Sequence, residues 1–182
     1  MCIPGLQLAQ NYSQEDSQSK EVIKLDGFAV FKGPRLVDFI TGGTDRGVNW
    51  ITGEVKSCPL TVTDSAGKEV SIDIINATSR ISAEFKNDWP EVTVIIETSG
   101  NLHEQQSNIN LFNDTDMSSL EKKLAAKVKD EAEGAVSFAQ ANGVDILGLG
   151  DALYHRYPLQ WEKIERNWKT IFPVINIKVA VE

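Results

Sequence analysis

The chain has 182 residues, and 41% of them are apolar, which is enough for one domain with a substantial core. It carries 26 acidic and 18 basic residues, so its formal net charge is −8 at pH 7. An acidic chain without basic runs argues against nucleic acid and against anionic lipid as partners. The apolar runs are of strand length, and the sequence therefore predicts no membrane-spanning helix.

The N-terminal residues differ in composition from the rest of the chain. They have neither the basic region nor the apolar stretch of a signal peptide. We interpret residues 1–9 as the tail of an upstream domain, residues 10–24 as a polar linker and residues 25–182 as the domain itself. Cys2 and Cys58 fit a surface thiol and a small buried side chain, or a single disulfide, but not a metal site.

The first part of the domain is predicted to be mostly strands. Residues 26–32 have apolar side chains on both faces, which is typical of a covered strand. Residues 36–51 contain three glycines and favour short helical pieces. Alternating apolar residues then predict an antiparallel meander, with strands at 58–63, 69–76, 78–86 and 92–99. Residues 64–68 form a turn cluster of the right length for a hairpin between the first two of these strands.

The second part is predicted to be mostly helical. Residues 117–141 have apolar side chains at three- or four-residue spacing and begin with a capping-box pattern at Ser118–Glu121. Asp145 is placed to cap a short helix at 146–155, and Pro158 suits the first turn of another that ends before Pro173. A last strand follows at 174–182. The predicted fold class is α+β, a mainly antiparallel sheet packed against one long helix and two shorter C-terminal helices.

Side chains that could carry chemistry have simpler explanations. His103 and His155 lie at no metal-ligand spacing from another His or Cys. The pair Gly148 and Gly150 lacks the third glycine and the Lys-Ser/Thr of a phosphate loop, and it fits close helix packing better. Carboxylate pairs, at Asp114 with Asp116 and at Asp145 with Asp151, lack the pattern of a calcium loop. Residue types and spacing predict no catalytic, cofactor-binding or metal-binding residue.

Several spaced motifs carry a family resemblance. They are GFAVFK at 27–32, a charged helix at 120–141, DILGLG at 145–150, Tyr157-Pro158, the two tryptophans that follow, and the final Val/Ile strand. Together they look like the C-terminal domain of the Ger(x)C family, the C subunits of nutrient germinant receptors in endospore-forming bacteria. The resemblance covers residues 25–182. Its motif residues, which we interpret as structural, are Gly27, Phe31, Asp145, Gly148, Gly150, Pro158, Trp161 and Trp168.

The resemblance implies a non-enzymatic lipoprotein subunit without a cofactor. Its partners would be the integral-membrane A- and B-type germinant receptor subunits. Its place would be the outer face of the inner spore membrane, held by an N-terminal lipid anchor that this chain lacks. Cys2 does not match the lipid-bearing cysteine, because no signal sequence precedes it. The domain would then act as an interaction or signalling module.

Two other functions stay open at this point. The first is a small-molecule (nutrient) binding module, with the sheet edge or the pair Trp161 and Trp168 as its pocket. The second is a hydrolase whose site cannot be recognised from residue types. Helical spacing favours the simpler interpretation of the tryptophans, as anchors that dock the last helix, with Gly148 and Gly150 as close-packing positions.

Overall fold

The structure, a computed structural model, describes residues 1–12 and 19–182. Its strands form two sheets. The smaller sheet has the order β1-β2-β3 and is antiparallel throughout. Its strands are β1 (Cys2–Tyr12), β2 (Ser19–Lys32) and β3 (Arg35–Ile40).

The larger sheet has the order β4-β5-β6-β7. Its strands are β4 (Cys58–Thr63), β5 (Glu69–Lys86), β6 (Trp89–Gln105) and β7 (Asn176–Val181). The first three run antiparallel, whereas β7 runs parallel to β6. A tight turn joins β5 to β6, and Asn87 and Asp88 both have positive φ there, as in a type I′ hairpin turn.

Five α-helices lie in the part of the chain that the structure describes. They are α1 (Thr44–Thr52), α2 (Asp114–Asn142), α3 (Leu149–Arg156), α4 (Pro158–Ile164) and α5 (Trp168–Ile171). The side chain of Asn113 caps α2 by accepting a hydrogen bond from the amide of Asp116. Gly143 ends α2 in the left-handed conformation that favours glycine.

The core lies between α2 and the larger sheet. Buried Val and Ile side chains of β5 and β6 pack in one core with the buried residues of α2. In the C-terminal half of α2 most of these buried residues are alanines, at Ala132, Ala135 and Ala139. Small side chains let α2 approach its neighbours closely, and α1 packs on it there. Trp50 of α1 and Phe172 are the largest fully buried side chains. The predicted α+β class is confirmed.

Residues 10–24 were expected to form a polar linker, and in the structure the described part of this range lies in strands. Gln10, Asn11 and Tyr12 lie in β1, and the residues from Ser19 onward lie in β2 and pair with them. Backbone hydrogen bonds between two strands need no apolar alternation, so the sequence pattern did not reveal this pairing. Residues 13–18 lie outside the described residues, and the division into domains stays a prediction.

Five other expectations need correction. Strand β5 runs without a break from Glu69 to Lys86, where two strands, at 69–76 and 78–86, were expected. Residues 36–40 are strand β3, because they pair with β2 where short helical pieces were expected. Helix α2 begins three residues earlier than predicted, and Asn113 caps it. The short helix expected at 146–155 begins only at Leu149, so residues 146–148 lie before α3. The predicted last helix is divided into α4 and α5 by a 3-10 turn at Glu165–Asn167.

The two cysteines, Cys2 and Cys58, are free thiols and do not form the disulfide that the sequence had left open.

Candidate functional site

The carboxylate of Asp145 is the centre of the motif that resembles the germination family. It accepts hydrogen bonds from the amide of Leu149 at 3.1 Å and from the amide of Gly150 at 2.7 Å. The indole Nε1–H of Trp168 donates a third, at 3.1 Å. Asp145 therefore caps the first turn of α3, as expected, although Gly148 occupies the backbone position directly before the helix.

Gly150 brings the two tryptophans next to this carboxylate. A Cβ atom at Gly150 would lie 2.8 Å from Cη2 of Trp161, 3.0 Å from Nε1 of Trp168 and 3.2 Å from Oδ2 of Asp145. The two indole rings meet edge to face with centroids 5.1 Å apart, a favourable aromatic geometry. We call Asp145, Gly150, Trp161 and Trp168 the Asp145 node.

Gly148 has a different role from Gly150. Its φ is +74°, and a Cβ atom there would meet nothing within 4 Å. The expectation of close packing is therefore wrong for Gly148, where backbone conformation explains the glycine. For Gly150 the structure gives the expected close contact.

A small cavity of about 230 Å³ opens beside the Asp145 node. Phe31 of β2, Asp145, Trp168 and Phe172 contribute to its lining. The volume is below the range of about 300–1,000 Å³ that is usual for small-molecule pockets. The Nε1–H of Trp168, one of the polar groups in the lining, is already bonded to Asp145. The geometry of the tryptophan pair favours packing over ligand binding.

The other motif residues also hold elements together. Gly27 in β2 has φ +67°, and a Cβ atom there would overlap the carbonyl oxygen of Ile40 in β3. Pro158 is the first residue of α4, where its missing N–H costs no helical hydrogen bond. Lys32, next to Phe31, donates a hydrogen bond to the carbonyl oxygen of Asn142 at 3.4 Å and so joins the smaller sheet to the end of α2.

A second polar cluster was not foreseen from the sequence. The carboxylate of Glu131 in α2 is only 12% exposed and accepts hydrogen bonds from both Nε and Nη2 of Arg46 and from Nε1 of Trp50. The hydrogen bond that Arg46 donates to Glu131 raises the pKa of Arg46, although burial opposes the rise. A Cβ atom at Gly47 would overlap the carbonyl oxygen of Glu131, so α1 and α2 touch at this point.

Three further observations concern metal binding, thiol reactivity and membranes. Across residues 1–12 and 19–182, no group of three or more His, Cys, Asp or Glu side chains is arranged to hold a metal ion. Burial raises the pKa of both thiols, Cys2 and Cys58, which favours the unreactive protonated form. Within the same described residues, none of the helices combines the length and apolarity needed to cross a bilayer.

The comparison with known families decides the classification. The family model for the C-terminal domain of spore germination B3/GerAC-like proteins matches residues 26–182. The chain belongs to this family. The resemblance seen in the sequence motifs is thereby confirmed.

Relatives of this GerAC-like domain include Spore germination protein KC of Bacillus subtilis (strain 168). The two are 25% identical over 190 residues, which is 99% of this chain and 47% of the relative. The crystal structure of the GerBC protein superposes with a TM-score of 0.77 at 20% identity, over 99% of this chain and 55% of that chain. The GerBC structure supports the fold. The chain spans about half the length of both relatives.

In the GerAC-like domain, the residues of the sequence motifs thus serve packing and hydrogen bonding. Asp145, Gly150, Trp161 and Trp168 come together, with Phe31 across the small cavity, whereas Gly27 and Pro158 act separately. Sequence reasoning missed Glu131, Arg46, Trp50 and Gly47. Gly47 was the only available signal, as a glycine within an amphipathic stretch, because Glu131 and Arg46 are of types that usually lie at the surface and Trp50 is of a type that usually packs in a core.

Proposed function

We propose that this domain is a non-enzymatic interaction module of a nutrient germinant receptor subunit in endospore-forming bacteria. It offers a packed α+β surface to the integral-membrane A- and B-type receptor subunits. In the full-length protein it stands at the outer face of the inner spore membrane, where an N-terminal lipid anchor holds it. The family match over residues 26–182 supports the germination role.

The state of the polar side chains is the observation that carries the non-enzymatic part of the proposal. A catalytic group needs a free donor, acceptor or nucleophile that faces a cleft. The carboxylates of Asp145 and Glu131 each accept three hydrogen bonds from the protein itself. Their partners fix helix ends and helix contacts, so these groups serve the fold.

Co-purification from membranes tests this proposal. The full-length protein is expressed with its A- and B-type subunits, extracted in detergent and captured through a tag on this subunit. We expect the charge reversal Glu165→Lys, at an exposed position after α4, to lower recovery of the partners while the far-UV circular dichroism stays unchanged. Glu165→Gln is the matched control for loss of charge without reversal. Full recovery across a set of exposed charge reversals would contradict the proposal.

Nutrient binding is the second candidate function. A thermal-shift screen of the domain with amino acids and sugars tests it, because a ligand that binds only the folded state raises Tm. The absence of any shift at millimolar ligand would remove this candidate and leave the interaction module unaffected.

A further inference from the structure

Strand β4 lies at one edge of the larger sheet, and among the strands that the structure describes only β5 pairs with it. Just past β4, the amide of Asp64 donates to the carbonyl oxygen of Lys68 across the hairpin, at 2.8 Å. In an antiparallel pair, the N–H and C=O of one residue point to the same side, and this side alternates along the strand. The backbone groups of residues 59, 61 and 63 therefore point away from β5. We call this side of the strand the β4 edge.

The sequence of β4, CPLTVT, gives the edge little protection of its own. It contains no charged side chain. Leu60 and Val62 are buried, whereas Thr61 and Thr63 are exposed. An uncharged, β-branched edge strand is prone to pair with another copy of itself, and edge strands usually prevent this with a charge or a proline. Pro59 removes one outward N–H, so the backbone of the two threonines needs protection from elsewhere.

Two lysines of α2 bond to this part of the backbone. Nζ of Lys127 donates to the carbonyl oxygen of Thr61 at 2.9 Å. Nζ of Lys123 donates to the carbonyl oxygens of Thr63 at 2.7 Å and of Asp64 at 3.1 Å. Four residues along a helix advance about 6 Å, and two residues along a strand advance about 6.6 Å. The i, i+4 spacing of the lysines thus matches the repeat of the outward carbonyls on β4.

We propose that Lys123 and Lys127 block the β4 edge against pairing with a second copy of this chain. Their ammonium groups occupy the carbonyl oxygens that an added strand would need. An ammonium group only donates, so it offers no acceptor to the N–H groups of an incoming strand. Two copies that met at this edge would also bring like charges together, which is unfavourable. The block does not depend on the proposed function.

The pairing that the lysines prevent has a definite register. Two copies of β4 would meet antiparallel about a two-fold axis, with Thr61 opposite Thr61 of the second copy. These two residues would exchange both of their hydrogen bonds, and the N–H of Thr63 in each copy would donate to the carbonyl oxygen of Pro59 in the other. The two larger sheets would then continue into each other.

A pair of methionine substitutions tests the block. Lys123→Met/Lys127→Met removes both ammonium groups and keeps the aliphatic stems that pack along the helix. Lys122→Met/Lys129→Met is the matched control, because it makes the same change in charge at exposed positions of α2. Sedimentation of the 182-residue chain measures the mass. At about 0.1 mM, we expect the variant to have twice the mass of both the parent and the control.

Hydrogen exchange and a proline locate the contact. The amides of Thr61 and Thr63 point away from β5 in the parent and would be bonded in the dimer. We expect their exchange to be slower by about tenfold or more in the variant. Adding Thr61→Pro to the variant removes the N–H at the centre of the pairing, as Pro59 does two residues earlier, and should restore the mass of the parent.

The results also distinguish a block from a tether that only holds α2 on the sheet. A folded variant with the mass of the parent would overturn the proposal and leave the lysines as tethers. A dimer that persists with Thr61→Pro, or that forms equally in the control, would overturn it as well, because the contact would then lie elsewhere. If far-UV circular dichroism shows the methionine pair to be unfolded, the single variant Lys127→Met takes its place, and the same outcomes decide.

Discussion

At the scale of single residues, the glycines of the DILGLG motif differ in what they permit. A Cβ atom at Gly150 would lie 2.8 Å from Cη2 of Trp161, whereas Gly148 has open space and a positive φ. Gly134, in the middle of α2, has neither constraint, because the nearest atom to a Cβ placed there would be Thr44 Oγ1, at 3.9 Å. The three glycines therefore allow one substitution to be compared in three physical situations.

We expect Gly150→Ala to lower the free energy of unfolding by about 2–3 kcal/mol, because the ring of Trp161 must move. Gly148→Ala should lower it by about 1 kcal/mol, the cost of a left-handed non-glycine residue. Gly134→Ala should raise it by about 0.5–1 kcal/mol, since alanine favours the helix. Urea denaturation measures all three. Equal effects at 148 and 150 would contradict the assigned roles.

Trp168 joins packing and hydrogen bonding in one side chain. It is half-buried, contacts the rings of Trp161 and Phe172, and donates to Asp145. We expect Trp168→Ala to cost about 3 kcal/mol in unfolding free energy and Trp168→Phe about 1 kcal/mol, the latter mainly for the lost hydrogen bond. Thermal and urea unfolding measure both. An alanine variant as stable as the parent would instead indicate that the tryptophan is a binding surface.

At the scale of elements, the contact between α1 and α2 depends on Glu131. We expect Glu131→Ala to lower the free energy of unfolding by about 2–3 kcal/mol, because it leaves Arg46 and Trp50 without their acceptor. The matched control is Glu133→Ala, which is exposed and should change stability by less than about 0.5 kcal/mol. Similar values for the two variants, measured by urea denaturation, would show that the cluster does not stabilise the helix pair.

The turn between β4 and β5 is an acid-sensitive element. Hydrogen bonds from Ser107 and from the amides of Lys68 and Ala66 lower the pKa of the nearly fully buried Asp64. Between the folded and unfolded pKa values the unfolded state binds more protons, so the contribution of Asp64 to stability is full above about pH 4 and is lost as pH falls through the folded pKa. Burial opposes this shift but does not reverse it.

Asp64→Asn removes the titrating group while keeping an acceptor for the turn amides, which bond to Oδ1 at 2.8 Å. We expect the variant to lose less stability than the parent when the pH is lowered from 5 to about 3. Urea midpoints across this range measure the difference. If the urea midpoint falls by the same amount in both proteins as the pH is lowered, Asp64 has no role in the acid sensitivity.

At the scale of the whole molecule, sequence patterns predicted the parts that depend on local periodicity. The β4–β5 hairpin and the long helix were found close to their predicted places, because alternation and helical spacing record which face is buried. The direction of β7 is not encoded in that way. Ile177, Val179 and Val181 alternate in the same manner whether β7 pairs parallel or antiparallel.

The candidate site was predictable only in part, for a related reason. The resemblance identified Asp145, Gly150, Trp161 and Trp168, but their mutual contact depends on a 3-10 turn that replaces the expected continuous helix. Glu131 could not be predicted, because its partners lie 81 and 85 residues away. Side chains paired over such separations leave no periodic signal in the sequence.

Nutrient-triggered germination of spores tests the central claim most directly. The full-length protein replaces the resident subunit, and the parent is compared with the surface variant Glu165→Lys and its matched control Glu165→Gln. The account predicts that a surface variant slows germination while the amount of the subunit in the membrane stays unchanged, and that the control germinates like the parent. Germination at the parent rate by every variant would contradict a role of this surface in the receptor.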